Sequence, residues 1–457
     1  MFTIKWRFEL LKTLFFINVI LWQTDCDKPD RVGTKIMLSL IKVIYSPQYT
    51  IMSKIPKISN KTYSIHRQIG LIVGLALMSL SLSDCAKKNT PPAENVVTIG
   101  YVGALTGALA HYGKDEENGV RLAIDDLNAQ KIRIAGKIIH FKIQSEDDQA
   151  DPRHATNAAQ RLVDANVNAV IGHTTSSTTL PASLIYNRAG IPLLAPAVTN
   201  PKYTQQGFPY VFRLIANDIQ QGQTLAKFAV QNFDAKQIAI IDDRSAYGVG
   251  MADEFEKYIK TLNGNLIARE SASDKETDFN AILTRIKSKS PDLIFFAGND
   301  GQAAAILQQM RNLGIAAQFI AGDGVHTPEF INLAGKGAEG VVTTLPGLPL
   351  ERMRQGLFFK QRFEQKYGPV QLYAPYYYDA TQIIAKAMQM ADSTDPKIYA
   401  PELKKTNYAG VTNQIQFDPQ GDLKVGKITV YQVRDGQWVE LPPLTPPQIT
   451  PNMNILK

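Results

Sequence analysis

The sequence predicts an α/β protein made of two similar units, each with a parallel β-sheet that is covered by helices on both faces. Short apolar segments of strand character alternate with helical segments from Val96 to Arg213. This alternation is typical of βαβ units, which build parallel sheets. After Asn217 the same rhythm restarts. No exact sequence repeat relates the two stretches, so the expected similarity is one of fold.

The first unit is expected to open with a strand at Val96–Val102, which the segment Gly103–Gly107 ends. His111 and Tyr112 are then expected in a loop, ahead of a helix from about Lys114 to Asn128. The elements expected after this helix are a strand at Ile138–Gln144, an acidic loop at Glu146–Asp148 and a helix that opens at Asp151–Pro152. A Pro in the first turn of a helix and an Asp before it are typical of helix starts.

The second unit is expected to repeat strand and helix up to the carboxyl end of the chain. The expected helices are Gln220–Asn232, Met251–Leu262, Asp278–Lys287, Gly301–Leu313 and the Tyr-rich stretch Leu372–Asp392. The expected strands are Gln237–Ile241, Leu266–Glu270, Leu293–Ala297, Phe319–Ala321 and Lys427–Val433. We expect Tyr247 and Gly248 in the loop Asp242–Gly250 between the first strand and the second helix.

The stretch Val170–Ser183 predicts a binding site for a negatively charged group. An apolar strand that ends at Gly172 is followed by five hydroxyl residues, Thr174–Thr178, and then by apolar residues at helical spacing. A helix is therefore expected to start at about Ser176 or Ser177. Its first amides have no partner within the helix, and the helix dipole favours a negative charge there. The same hydroxyls could instead be ordinary caps and turn residues.

The next predicted strand favours the binding interpretation. Ile191–Ala195 follows the helix stop at Gly190 and leads into a polar loop, Ala197–Asn200. Two neighbouring parallel strands thus end in loops that carry hydroxyl groups. Ligands of open α/β sheets bind at this carboxyl edge.

The start of the chain predicts export. Basic residues from Met52 onward precede an apolar core at Ile69–Leu82 and then Cys85, which is the order of a bacterial signal peptide. Leu82–Cys85 resembles the lipobox of lipoproteins, in which the Cys becomes lipidated, although Asp84 departs from that pattern. A plain secretory signal that is cleaved elsewhere is the alternative. Residues 1–51 are interpreted as lying upstream of the true start or as an N-terminal anchor, and residues 86–95 as a tether.

The charge and the cysteine content bear on two questions, whether nucleic acid is a partner and whether disulfide or thiol chemistry is expected. Residues 1–85 hold 11 of the 49 basic and 5 of the 42 acidic residues, which leaves 38 basic against 37 acidic residues in the rest. A nearly neutral body gives no reason to propose nucleic acid as a partner. After Cys85 the chain contains no cysteine, so no disulfide or thiol chemistry is expected there.

The sequence contains little evidence of a catalytic, nucleotide-binding or metal-binding motif. Gly335–Gly340 matches GxGxxG but lacks the preceding strand and the following long helix of a dinucleotide site. No P-loop, GxSxG, HExxH or CxxC motif occurs, and the six histidines are scattered. His111 and His173 are interpreted as loop or turn residues. The sequence therefore predicts no enzyme, no metal and no cofactor.

Six motifs in order resemble the leucine/isoleucine/valine-binding proteins, which are the branched-chain amino acid type of ABC-transporter substrate-binding protein. The motifs are LTGALAHYG (105–113), EDDQADP (146–152), VIGHTTSSTTLPAS (170–183), LLAPAVTNP (193–201), DDRSAYGVG (242–250) and GDGVHTPEF (322–330). The resemblance covers Val96 to about Leu441. It implies the type I periplasmic binding protein fold, in which two Rossmann-like lobes joined by three crossing segments close on a ligand. Lobe 1 would comprise 96–217 plus 347–421, and lobe 2 would comprise 218–346 plus 422–445.

The resemblance also implies roles for individual residues. Ser176, the Ser177 amide and Thr199 would hold the α-carboxylate of an amino acid, and the Ala197 carbonyl and Asp323 would hold its α-ammonium. The residues that would line the rest of the cleft are Tyr112, Tyr247, Asn299 and Tyr376. A zwitterion needs donors at one end and a carboxylate at the other, so the chemistry agrees with this assignment.

Three departures from the family leave the identity of the ligand open. Ala150 and Thr175 replace cysteines that some relatives pair, Asp323 stands in place of Glu, and Asn299 stands in place of an aromatic residue. The sequence thus predicts a periplasmic or cell-surface binding component of an ABC importer, anchored through Cys85, for a branched-chain or other small amino acid. A binder of amides or urea with the same fold, and a ligand-sensing domain for a receptor, are the alternatives.

Overall fold

The computed structural model of the protein describes residues 95–443, whose strands form two large sheets. The strands are β1 (Val96–Gly103), β2 (Arg133–Ile134), β3 (Lys137–Ile138), β4 (His140–Asp147), β5 (Ala169–Gly172), β6 (Leu193–Ala195), β7 (Val211–Arg213), β8 (Gln237–Asp242), β9 (Asn265–Ser271), β10 (Leu293–Ala297), β11 (Gln318–Ala321), β12 (Val342–Leu345), β13 (Asn407–Ala409), β14 (Gln414–Gln416), β15 (Thr429–Arg434) and β16 (Gln437–Glu440). The expected signal peptide, Cys85 and residues 1–51 lie outside the described residues.

Twelve α-helices connect or cover these strands within residues 95–443. They are α1 (Ala110–Gln130), α2 (Pro152–Asp164), α3 (Ser176–Ala189), α4 (Lys202–Gln205), α5 (Asp218–Gln231), α6 (Ala246–Thr261), α7 (Asn280–Lys287), α8 (Asp300–Asn312), α9 (Pro328–Ala334), α10 (Gly356–Tyr367), α11 (Ala374–Met390) and α12 (Pro396–Leu403). A short 3₁₀ turn occupies Asp323–Val325.

The five-stranded sheet has the order β4-β1-β5-β6-β7, and all its strands are parallel. Strands β1, β5 and β6 are mainly apolar because both faces of the sheet are covered, by α1 and α11 on one side and by α2 and α3 on the other. Val102 pairs with Gly172 and Gly103 with Asp147. The loops after β1, β4 and β5 therefore leave the sheet at the same edge.

The seven-stranded sheet has the order β16-β15-β12-β11-β10-β8-β9. Its five strands from β12 to β9 are parallel, and β15 and β16 add an antiparallel edge. Helices α5 and α6 cover one face, and α7 and α8 cover the other. This sheet repeats the layered arrangement of the first, as the restarted rhythm of the sequence predicts.

The chain passes three times between the two sheets. It leaves the five-stranded sheet after β7, returns after β12 to add α11 to the core around β1, and re-enters the seven-stranded sheet at β15. Two parallel-sheet lobes joined by three crossings confirm the predicted fold class. The lobe boundaries given above stay a prediction.

Two loops of the sequence interpretation are helical in the structure. His111 and Tyr112 belong to the first turn of α1, which begins at Ala110. Tyr247 and Gly248 belong to α6, which begins at Ala246 because the Ser245 hydroxyl accepts a hydrogen bond from the Gly248 amide. A side chain on Gly248 would lie 2.1 Å from an oxygen of Asp243, so this glycine meets a packing need and does not mark a loop. The strand predicted at Ile138–Gln144 is also split, because Ile138 ends β3 and β4 starts at His140.

Candidate functional site

The junction between β5 and α3 forms as the sequence predicts. All four residues of β5 are buried, and the helix begins at Ser176. Thr175 is the N-cap, and its hydroxyl accepts a hydrogen bond from the Thr178 amide. The cap thus satisfies the third amide of the helix and leaves those of Ser176 and Ser177 for a ligand. Gly190 ends α3 with a left-handed φ of 72°, as its position after the periodic stretch predicts.

A buried arginine holds the second predicted loop, Ala197–Asn200. The guanidinium of Arg213 donates to the carbonyls of Val198 at 3.1 Å and Asn200 at 2.8 Å, and it pairs with Asp422 at 2.6 Å. The side chain of Arg213 is fully buried. Because charged hydrogen bonds are stronger than neutral ones, this contact fixes the loop against the end of β7.

A cavity of about 910 Å³ lies between the carboxyl ends of the two sheets. Seven of the nine predicted ligand residues line it: Tyr112, Ser176, Ser177, Ala197, Tyr247, Asn299 and Asp323. They come from loops and helix starts far apart in sequence. The structure therefore brings most of the predicted set to one place, while Thr199 and Tyr376 lie outside the lining.

Asp323 is a buried carboxylate that lines this cavity. Its Oδ1 accepts hydrogen bonds from Tyr247 Oη at 2.9 Å and Gln221 Nε2 at 3.0 Å, and its Oδ2 accepts one from Tyr373 Oη at 2.6 Å. Burial raises the pKa of Asp323, and the three donors partly oppose that rise. A cationic group of a ligand would favour the ionised carboxylate further.

Thr199 lies behind the cavity wall, next to a carboxylate that the sequence interpretation missed. Its hydroxyl oxygen is buried without a hydrogen-bond partner among the described residues, and so are both carboxylate oxygens of Asp218. The Asp218 amide donates to the Thr199 carbonyl at 2.9 Å. Burial raises the pKa of Asp218 to about 8. In the sequence Asp218 directly follows the helix-capping residue Asn217. Its position therefore predicts a helix start and not a buried carboxylate.

Tyr373 takes the place in the lining that the sequence interpretation gives to Tyr376. Tyr373 contributes the hydroxyl that reaches Asp323. The hydroxyl of Tyr376 is buried, has no hydrogen-bond partner within residues 95–443 and lies against Gly347, where a Cβ would be 1.7 Å from it. Both residues belong to the Tyr-rich stretch around the start of α11, and that stretch is the only signal that points to Tyr373.

Several contacts join the two lobes across the cavity. Tyr112 Oη donates to the Gly324 carbonyl at 2.8 Å, and the Ala246 amide donates to Ser177 Oγ at 2.8 Å. His111 Nε2 lies 2.8 Å from a carboxylate oxygen of Asp300. The N-termini of α3 and α6 thus meet at the cavity. The arrangement is that of a closed cleft.

Known proteins are similar to this chain in sequence and in fold. A family model described as periplasmic binding protein matches residues 96–437. An amino acid binding protein of Pseudomonas aeruginosa is 34% identical over 372 residues, which cover 80% of this chain and 98% of that protein. The chain belongs to the periplasmic binding protein family. A leucine-specific-binding protein of Salmonella typhimurium, 32% identical, matches 74% of this chain and 90% of its own length.

Solved structures of periplasmic binding proteins share the two-lobe fold. A leucine binding protein, LivK, from Thermotoga maritima superposes with a TM-score of 0.70 at 29% identity and covers 76% of this chain and 98% of its own. A branched-chain amino acid substrate binding protein, LivJ, from Streptococcus pneumoniae in complex with isoleucine gives 0.68 at 28% identity, covering 76% and 100%. Within residues 95–443 no helix has the length and apolar character of a membrane span.

Proposed function

We propose that this periplasmic binding protein binds an α-amino acid in the cavity and delivers it to the membrane permease of an ABC importer. The observation that carries the proposal is the pairing, in a single cavity, of a helix N-terminus with unused amides and a buried carboxylate. These two features match the two charged ends of an amino acid. Relatives named for leucine or amino acid binding support the ligand class.

The α-carboxylate is assigned to the start of α3. The amides of Ser176 and Ser177 and the hydroxyl of Ser176 would donate to it, helped by the positive end of the helix dipole. No arginine lines the cavity among the described residues, and Lys275 lies on an exposed segment of its rim. Neutral donors would therefore hold the carboxylate.

The α-ammonium is assigned to Asp323 and the Ala197 carbonyl. Asp323 is held by Tyr247 and Gln221 from one lobe and by Tyr373 from the other. A ligand on this carboxylate would therefore link both lobes in the closed cleft. Opening of the cleft would release it to the permease.

Members of this family are periplasmic binding proteins, so the binding domain is expected outside the cytoplasm. We further propose that Cys85 is lipidated and anchors the domain to the membrane, as the Leu82–Cys85 stretch indicates. Mass spectrometry of membrane-extracted protein tests the anchor, which an unmodified mature N-terminus at another residue would exclude.

The ligand class is tested by thermal shift and calorimetric titration with the twenty common L-amino acids and a set of small amides. An amino acid at 100 times its dissociation constant should stabilise the fold by about 2.7 kcal/mol. Asp323→Asn should cost roughly 3–5 kcal/mol of binding free energy, because it leaves the bound ammonium without a counter-charge. Shifts with amides alone would refute the amino acid assignment.

Asp379→Asn is the matched control for Asp323→Asn. Asp379 is also a fully buried carboxylate, but it accepts hydrogen bonds from the amides of Val411 and Thr412 at 2.8 Å each and lies outside the cavity lining. Its change should lower stability and leave affinity unaltered. Equal losses of affinity in the two variants would mean that Asp323 acts through the fold alone.

A further inference from the structure

Three buried side chains form a hydrogen-bonded relay that leads from the cavity to strand β12. Asp323 Oδ1 accepts a hydrogen bond from Gln221 Nε2 at 3.0 Å, and Gln221 Oε1 accepts one from Thr344 Oγ1 at 2.6 Å. All three residues are buried. Of the three, Asp323 alone lines the cavity. Gln221 and Thr344 therefore act on a bound ligand through Asp323.

The ionised form of Asp323 determines how the Gln221 amide is oriented. A carboxylate only accepts hydrogen bonds, so Gln221 turns its NH₂ group toward Asp323. The carbonyl oxygen of Gln221 then faces Thr344, whose hydroxyl donates to it. A buried carbonyl oxygen without a donor would cost free energy. The Thr344 hydroxyl thus stabilises the arrangement in which Asp323 accepts.

Protonation of Asp323 would allow the opposite orientation of the amide. A protonated carboxyl group donates a hydrogen bond, and the Gln221 carbonyl oxygen could then turn toward it. The Thr344 hydroxyl satisfies both orientations, because it donates in one and accepts in the other. Without that hydroxyl, the Gln221 carbonyl oxygen has a donor only beside a protonated Asp323. Loss of the hydroxyl therefore favours the neutral form of Asp323, which attracts a ligand ammonium less.

The other titratable groups around Asp323 are four tyrosines and Asp218. The tyrosines that interact with the charge of Asp323 are Tyr112, Tyr247, Tyr373 and Tyr376. Burial is the main cause of a raised pKa in all four, so they stay neutral. Burial, and to a lesser degree the charge of Asp323, raises the pKa of Asp218 to about 8. Asp218 is the same in all variants of Thr344, so a comparison among those variants isolates Asp323.

We propose that Thr344 is a positioning residue for the ammonium group of the bound amino acid. Through Gln221 it holds Asp323 as a hydrogen-bond acceptor, and it does so from outside the cavity lining. The proposal rests on the amino acid function proposed above and extends the binding apparatus to strand β12.

The test is calorimetric titration of the wild type, Thr344→Val and Thr344→Ser with each of the twenty common L-amino acids at pH 7. Thr344→Val keeps the shape of the side chain and removes the hydroxyl. It should bind the amino acid that the wild type prefers about 2- to 12-fold more weakly, the effect of one neutral hydrogen bond. Thr344→Ser keeps the hydroxyl and loses a methyl group, and it should bind like the wild type. A packing role for Thr344 would give the opposite order.

Carbon-13 NMR of ligand-free protein labelled at the aspartate Cγ follows the relay without any ligand. Asp323→Asn identifies the signal of Asp323. The pKa of Asp323, which burial already raises, should be higher in Thr344→Val than in the wild type and unchanged in Thr344→Ser. In a Gln221→Leu background the relay is already broken, so Thr344→Val should cause no further change in affinity.

Thr429→Val is the matched control. Thr429 is a buried threonine of the neighbouring strand β15, and its hydroxyl donates to the Gly347 carbonyl at 2.7 Å outside the cavity lining. This change should lower stability and leave both the affinity and the titration of Asp323 as in the wild type.

Two outcomes would overturn the role of Thr344 and leave the amino acid function standing. One is wild-type affinity in Thr344→Val, and the other is a loss of affinity in Thr344→Ser as large as that in Thr344→Val. Failure of every amino acid to bind the wild type would overturn the proposed function and this role with it.

Discussion

Glu116 illustrates at the residue scale how burial sets the chemistry of a side chain near the site. It is fully buried in α1, and its Oε2 accepts hydrogen bonds from Thr174 Oγ1 at 2.7 Å and Tyr101 Oη at 3.2 Å. Its Oε1 has no partner among the described residues. Burial raises the pKa of Glu116 to about 8. The protonated form is therefore the one that the folded protein favours.

The stability of the protein should depend on pH through Glu116. A carboxyl group with a folded-state pKa of about 8, above its unfolded value near 4.3, contributes stability that is fully present below pH 4 and is lost as the pH rises through 8. Glu116→Gln removes this titration. At pH 9 the melting temperature of the variant should be higher than that of the wild type, by about 2–4 °C for each kcal/mol of unfolding free energy regained. At pH 4 this difference in melting temperature should disappear.

Thermal melts of both proteins across pH 4–9 measure the difference. Asp218 shares the raised pKa of about 8, so only the difference between wild type and variant isolates Glu116. Parallel pH profiles of the two proteins would show that Glu116 does not titrate in this range.

Helix α3 shows at the element scale how a local sequence pattern becomes part of a site. Its cap and its first amides are set by residues within one turn, namely Thr175 to Thr178. The Ser176 hydroxyl lines the cavity and accepts a 3.4 Å hydrogen bond from the Asn200 amide. Its hydrogen therefore remains available to a ligand carboxylate.

Removal of this hydroxyl should weaken binding without loss of the helix. Ser176→Ala should lower the affinity for the amino acid by about 1.5–3 kcal/mol, the usual contribution of a hydrogen bond to a charged group. Ser183 is the control on the same helix, since it is buried and its hydroxyl donates to the Leu180 carbonyl at 2.8 Å outside the cavity lining. Calorimetry should show unchanged affinity in Ser183→Ala. Equal affinities in all three proteins would remove the start of α3 from the site.

The closed arrangement of the lobes is a property of the whole molecule. Tyr112 in the five-stranded lobe donates to Gly324 in the other, and its ring stacks near Tyr373 with a centroid distance of 6.2 Å. A neutral hydrogen bond contributes about 0.5–1.5 kcal/mol. The loss of this bond would therefore change the ratio of closed to open molecules by roughly 2- to 12-fold.

Tyr112→Phe should open the ligand-free protein while it keeps the stacked ring. Small-angle X-ray scattering should give a larger radius of gyration for the ligand-free variant than for the ligand-free wild type. A saturating ligand should bring both proteins to the same value. The same radius without ligand would show that this bond does not hold the cleft closed.

The sequence alone determined those features that depend on neighbours along the chain. The rhythm of strands and helices, the start of α3 at Ser176, its stop at Gly190 and the helix start at Pro152 follow from periodicity and capping, which act over a few residues. The resemblance to a known family located the loops of the site, and the cavity gathers Tyr112, Ser176, Ser177, Ala197, Tyr247, Asn299 and Asp323 from them. Helix α10 and the β13–β14 hairpin have weaker local sequence patterns, and they were not predicted.

Only the tertiary structure decided which side chains of these loops reach the cavity. Tyr373 and Tyr376 lie within one turn of the same stretch, and a helix turns by about 100° per residue, so the packing of α11 determines that Tyr373 meets Asp323. The burial of Asp218 and Glu116 arises from elements distant in sequence, because a carboxylate loses water only when the whole fold closes over it. The unpaired oxygens of these two carboxylates have no signature in the order of residues.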